Sequence, residues 1–273
     1  MIHLDNKLQP KKRIRKIIDD MTLFDDVFMS LVFDENIEAT QEVLRIVLQQ
    51  DDITVIHVKG QNVFKNPLTD GRNIQIDVYA KDSTGREFDV EIQRDSDGAH
   101  ERRARFHSSM LDARMLKSGQ NFKDLRDSYV IFFCEEDKLG DAKPLYHINR
   151  TIEESGKIFD DGSHIIYVNG EYESDDPLGR LIKDFKCKNA ADIANPALAN
   201  SVAHQKETMK GESKMSIELM KFAEEQKAEG KAEGQNQLAR LIDKLLDNNQ
   251  IQDIRKVNAD PIYRQKLMAE FGI

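Results

Sequence analysis

The chain has no tryptophan and only two cysteines in 273 residues. Cys134 and Cys187 stand far apart, which excludes a disulfide framework and any cysteine-based metal spacing. The longest apolar runs, such as Tyr129 to Cys134, fall far short of the roughly 20 residues a membrane-spanning helix needs. Met1 to Pro10 lacks the apolar core of a signal peptide, so the expectation is a cytoplasmic protein without a membrane partner. The histidines form no H-x-x-x-H pair, and neither Ser108-Ser109 nor the glycines match a nucleophile elbow or a phosphate loop. Zinc hydrolase and kinase chemistries are thereby set aside. Positive charge is also in short supply. A formal net charge of -9 argues against a surface that grips nucleic acid all over, although acids gathered in a tail would leave a local basic face possible.

What is present begins with a basic run, Lys11, Lys12, Arg13, Arg15 and Lys16, set against Ile14, Ile17, Ile18 and Met21 at helical spacing. It reads as a solvated helix start, with a basic arm as the alternative. Asp25 to Phe33 and Ile37 to Gln49 read as further helices, the second burying Val43, Leu44, Val47 and Leu48. Short β-type runs follow at Ile53 to Lys59, Asn73 to Ala80, Phe88 to Gln93, Ser128 to Cys134 and His164 to Asn169. A helix over His100 to Lys117 separates the third from the fourth. The order implies an α/β fold with a mixed central sheet flanked by helices. Past Ala190 the pattern loosens, and Lys-Ala-Glu-Gly repeats at Lys227 to Gly234 read as a semi-helical connector. Leu238, Leu241, Ile242, Leu245 and Leu246 then make one apolar face, and Asp260-Pro261 reads as a helix N-cap followed by proline at the first helical position. The expected organisation is a basic helical segment over 1–24, a core domain over 25–190, a charged linker over 191–236 and a helical unit over 237–273.

The chemically informative stretch is Asn73 to Arg94. Asp77 alternates with Ile76 and Val78, and Asp89, Glu91 and Gln93 alternate with Phe88, Val90 and Ile92. A turn at Asp82-Ser83-Thr84-Gly85, centred near Thr84, sets Asp77 and Glu91 opposite one another. Like charges facing across a sheet destabilise it unless something neutralises them, and a divalent cation bound by hard oxygens would do so. Such an ion activates water for phosphodiester hydrolysis. A solvated hairpin face would account for the same acids. Between Arg94 and Arg126 eight cationic side chains stand against five acidic ones, reversing the sign of the whole chain. Arg102 and Arg105 share one helix face suited to phosphates, while Arg103 and His107 lie on another. Pairing of the arginines with local acids such as Glu101 is the alternative.

Taken in order, Glu35-Asn36-Ile37-Glu38, Asp77, Glu91-Ile92-Gln93, Arg103 to Phe106, Gly119 through Leu125 and Tyr129-Val130-Ile131-Phe132 resemble the recombination-promoting nuclease (Rpn) and transposase family of the PD-(D/E)XK superfamily, over roughly Asp25 to Lys188. The Ala-Glu-Gly repeats and leucine-rich end are similar too. The resemblance implies a restriction-endonuclease-like core with a helical C-terminal extension, and Mg²⁺- or Mn²⁺-dependent DNA cleavage linked to recombination or transposition. It implies Asp77 and Glu91 as metal ligands, Gln93 in the usual lysine position and Glu38 as the helix-borne acid, with Glu42 the alternative. Ile76 stands where the motif has proline, and Gln93 lacks the charge a lysine would bring to the phosphate. A catalytically silent module that binds nucleic acid or protein is the second expectation. For the C-terminal helices, homodimer formation is expected, because an amphipathic face needs a place to bury its leucines.

Overall fold

The structure, a computed structural model, describes residues 10–94, 96–248, 250, 253, 256–257 and 260–273. Two compact units divide it, Met1–Ser216 and Ile217–Ile273. The first contains α1 (Pro10–Asp20), α2 (Asp26–Phe33), α3 (Ile37–Leu48), β1 (Val55–Phe64), β2 (Ile74–Asp82), β3 (Glu87–Gln93), α4 (Glu101–Met115), β4 (Ser128–Cys134), β5 (Leu145–Ile148), β6 (Ser163–Asn169), α5 (Pro177–Lys186), α6 (Pro196–Glu207) and the start of α7 (Met209–Asp247). Among the described residues the strands form one sheet in the order β1-β2-β3-β4-β6-β5. The β1-β2-β3 meander is antiparallel, β3-β4 and β4-β6 are parallel, and β5 returns antiparallel on the far edge. This is the mixed sheet of an α/β fold.

Parallel central strands are covered on both faces, and their composition follows from that. Every residue of β4 is buried. Its Phe133 stacks on Phe185 of α5, with ring centroids 4.7 Å apart, while Phe132 turns the other way beneath α4 and stacks on Tyr167 at 5.4 Å. On the α5 side, α2 and α3 complete the cover: Met29, Phe33, Val43 and Leu44 meet Val78 and Val90. The α2 sequence DVFMSLVF is apolar all round because α6 covers the side turned away from the sheet.

That contact with α6 also satisfies carbonyls that the ends of α1 and α2 leave without intrahelical donors. Ser201 Oγ donates to Val32 O at 2.7 Å and Gln205 Nε2 to Leu31 O at 3.0 Å. Lys206, buried above the Phe28 ring, donates from Nζ to the carbonyls of Asp19, Met21 and Lys188 at 3.1, 2.6 and 2.7 Å. Burial lowers its ammonium to about 8, so it remains charged at neutral pH. The first turns of α7 are tied down as well, through Glu212 to Arg15 and Lys214 to Asp34. The compact unit therefore continues to Ser216, beyond the boundary near 190 expected from composition. At the other end, Ile18 and Met21 are core residues, so α1 belongs to this unit too. The initial residues 1–9 lie outside the described ones.

Three elements escaped the sequence reading. The edge strand β5 has only four residues, two of them exposed, which is too short for an alternation signal. Helices α5 and α6 both begin with a capping residue and proline, Asp176-Pro177 and Asn195-Pro196, the same start signal recognised at Asp260-Pro261. In the second unit Leu241 and Leu245 are buried with Val257 and Leu267, the last from the terminal helix Pro261–Phe271. Leu241 and Leu245 thus find cover within their own chain, whereas Leu246 of the same face stays exposed. No helix among the described residues is long and apolar enough to cross a membrane.

Replacing Lys206 by Met keeps its aliphatic length but leaves three carbonyls, one buried and two part-buried, without their donor. At about 1–3 kcal/mol for an unsatisfied buried group, the expected loss is on the order of 3 kcal/mol. Thermal unfolding checks it, with a Tm lower by roughly 6–12 °C for a unit of this size.

Candidate active site

The β2-β3 hairpin is closed by Asp82. Its carboxylate accepts from Thr84 N at 2.9 Å, Thr84 Oγ1 at 2.8 Å, Arg86 N at 2.9 Å and Arg86 Nε at 2.6 Å. Gly85 takes the positive φ of 91° that the turn requires. The register that follows, Lys81↔Glu87, Ala80↔Phe88, Tyr79↔Asp89 and Val78↔Val90, is the one a turn centred on Thr84 dictates. One step further the backbone ladder ends and side chains replace it. Asp77 N donates to Glu91 Oε1 at 3.3 Å, and Ile92 N donates to Asp77 Oδ2 at 2.9 Å. Asp77 and Glu91 are thus neighbours, each carboxylate anchored on the other's strand.

The polar side of this hairpin does not face solvent. α4 lies across it, and Asp89 and Glu91 are fully buried, which overturns the reading of a solvated strand face. Arg103 descends from α4: Nη2 pairs with Glu91 Oε2, Nη1 donates to Gly98 O at 3.1 Å, and the guanidinium packs 5.8 Å from the Phe132 ring centroid. One turn on, His107 Nδ1 lies 2.7 Å from Asp89 Oδ2 and 3.7 Å from Glu91 Oε1.

Three carboxyl groups therefore share a low-dielectric pocket with one guanidinium. Burial, reinforced by Glu91, pushes Asp77 well above the usual carboxylate range. Burial also raises Asp89 to about 7, and raises Glu91, with Asp89 beside it, to about 8. His107 is lowered by burial, which outweighs the pull of Glu91. Each acid is costly to ionise until a cation is present.

Asp77 opens onto a cavity of about 320 Å³, also lined by Asp25, Asp26, Gln93, Arg94 and Arg103. Gln93 reaches it from the last position of β3, and Gly98 lies so close that a Cβ there would fall 1.8 Å from Gln93 Oε1. Asp25 precedes the first turn of α2, and its Oδ2 accepts from Thr22 N at 2.8 Å and Arg94 Nη2 at 2.9 Å rather than from the helix. Asp26 is in the first turn of α2 and adds to the charge felt by Asp77.

Glu38 is not brought to this cavity. It sits exposed in the first turn of α3 and does not line the cavity, and Glu42 lies against Arg45 at 3.8 Å beside a different one. The helix acid beside Asp77 is Asp26, because α2 rather than α3 aims its N-terminus at the end of the hairpin. Arg102 and Arg105 are exposed, on the side of α4 opposite the buried Ala104 and His107. Sequence reasoning also passed over Asp89 and His107. The i, i+4 spacing of Arg103 and His107 showed that they share a face, but not that the face covers the acids.

The donor set suits a divalent cation: hard carboxylate oxygens on Asp77, Glu91 and Asp26, with a Gln93 amide oxygen alongside, and more buried acid than Arg103 alone could balance once ionised. A mixed sheet with helices on both faces and acids at the end of its central hairpin defines a restriction-endonuclease-like nuclease fold. The chain matches the family model of the PD-(D/E)XK nuclease family transposases over residues 24–171, more than half its length, and belongs to that family. No curated protein and no solved structure matches it.

The raised acids make stability depend on pH. Below about pH 4 folded and unfolded chains hold the same protons, whereas between the ordinary carboxylate range and about pH 8 the folded chain alone keeps them, so stability falls as pH rises through this window. In chelator-treated buffer Glu91→Gln is expected to raise Tm at pH 8, and the gain should vanish below pH 4.5. A Tm difference independent of pH would contradict the raised acidity constant of Glu91.

Proposed function

We propose that this chain is a metal-dependent DNA endonuclease acting in recombination or mobile-element transposition. Asp77 and Glu91 would hold Mg²⁺ or Mn²⁺, with Asp26 taking the part expected of Glu38. The observation that carries the reading is the juxtaposition of Asp77 and Glu91 at the end of the hairpin, each raised by burial and Asp77 further by Glu91, beside an open cavity. A divalent ion at these oxygens supplies a more acidic water and offsets charge gathering on phosphorus. Gln93, fixed against Gly98, orients the attacking water through its amide but brings no charge. Arg103 makes up that deficit, because its guanidinium both holds Glu91 and borders the cavity where a phosphate would lie. Exposed Arg102 and Arg105 would meet flanking phosphates.

One observation favours a second reading, a silent DNA-binding module. Arg103 already occupies Glu91, so cation uptake must compete with an internal ion pair. Plasmid nicking across divalent metals separates the two. Asp77→Ala is expected to lower Mg²⁺- or Mn²⁺-dependent nicking by at least about a hundredfold, equivalent to about 2.7 kcal/mol in the barrier, while keeping the fold and DNA binding. In the same binding assay, a double Arg102→Ala, Arg105→Ala variant should flatten the slope of log K against log salt by roughly 2. Unchanged nicking by Asp77→Ala would remove the nuclease assignment, and an unchanged slope would remove the two arginines from the DNA contact.

A homodimer through the C-terminal unit is the remaining part of the proposal. Its support is the exposure of Leu246 and Ile262 on a unit in which Leu241, Leu245 and Leu267 are already buried. Light scattering of the full chain should give twice the 31.4 kDa chain mass, and a monomeric mass would end the idea.

A further inference from the structure

Behind the cavity lies a second group of donors, of which only Glu91 is also placed in the proposed nuclease site. Asp89 Oδ, Glu91 Oε and His107 Nδ1 all lie within 4.8 Å of one another, on residues that are all buried. The two acids are i and i+2 on one face of β3, and the imidazole drops onto them from α4. Asp89 Oδ2 contacts His107, but among the described residues no fixed donor reaches Asp89 Oδ1, which is buried. A fully buried carboxylate oxygen without a partner is costly and calls for one.

We propose that Asp89, Glu91 and His107 form a second cation site, selective for a first-row ion such as Zn²⁺ or Mn²⁺ over Mg²⁺. Tetrahedral coordination at about 2.0–2.1 Å sets donors roughly 3.3 Å apart. The His107 nitrogen is 2.7 Å from one acid and 3.7 Å from the other, on either side of that spacing. Imidazole with two carboxylates is a donor set that zinc and manganese accept, whereas magnesium keeps to oxygen and water. Charge points the same way: if Asp77, Asp89 and Glu91 gave up their protons, only Arg103 would oppose them, and a dication in the dry group would offset the excess. His107 would bind through Nδ1, the nitrogen turned toward both acids. Glu91, whose Oε1 accepts from Asp77 N, would serve both groups of donors. The inference borrows this residue from the proposed nuclease site but does not depend on cleavage, because its readout is ion uptake.

The test uses the full-length chain, stripped with chelator and dialysed against Zn²⁺ alone or Mn²⁺ alone. Wild type should take up two ions per chain. Asp77→Ala should retain one, and the near-isosteric Asp89→Asn and His107→Gln, checked by circular dichroism, should each retain one and weaken the other at least tenfold. Nitrogen NMR of histidine-labelled wild type gives a readout that needs no variant: Zn²⁺ should shift the His107 Nδ1 resonance and Mg²⁺ should leave it in place. Uptake of a single ion that Asp77→Ala abolishes and Asp89→Asn leaves alone would overturn the second site while sparing the nuclease reading. An Nδ1 resonance unmoved by saturating Zn²⁺ would overturn it as well. One ion retained by Asp77→Ala together with undiminished nicking would instead count against the nuclease reading alone.

Discussion

Everything at the functional end of this fold depends on the burial of an acid-rich strand face under a helix. Side chains that water would ordinarily solvate, Asp89 and Glu91, are instead enclosed between β3 and α4, against Phe132 and beneath Arg103 and His107. An apolar strand packed in the same place would be more stable, since a buried carboxylate gains little unless it is fully partnered. The arrangement stores electrostatic tension, and the molecule relieves it in part by holding protons and in part through one guanidinium. A cation would relieve the remainder, which is why affinity for metal and pH-dependent stability arise from the same residues.

The rest of the first unit serves to hold that face in place. Phe133 and Phe185 anchor one side of the sheet, and α2 presents Asp25 and Asp26 at the mouth of the cavity because α6 fastens its other end. Lys206 fastens α1 through the same helix. Residues more than a hundred positions from the hairpin thus help to set where the cavity's acids stand. Turn chemistry contributes locally: four donors on Asp82 pin the register, and a slip of one residue would turn Asp77 away from Glu91.

Arg103 stands at the meeting point of the two functional readings. As the partner of Glu91 it keeps a metal-free site neutral enough to fold, and as a cavity-lining cation it supplies the charge that Gln93 lacks. A lysine at position 93 would bring charge on a flexible stem. A guanidinium fixed by Gly98 O and the Phe132 ring brings it with a set direction.

How much was legible in the chain follows from the range of the interactions involved. Alternation along β2 and β3 and the turn at Asp82–Gly85 are local, so the opposition of Asp77 and Glu91 could be read directly, and the family motifs carried the fold class with it. The caps at Asp176-Pro177 and Asn195-Pro196 are equally local and were legible in principle, but β5 is too short to leave a periodic mark. Tertiary structure alone decided the rest. Nothing near Asp26 or Glu38 in sequence tells which helix will aim its first turn at the hairpin. Nor does the spacing of Arg103 and His107 tell that their face will close over Asp89 and Glu91. Those outcomes depend on how helices pack across a sheet, and that is set by many distant contacts acting together rather than by any pattern along the chain.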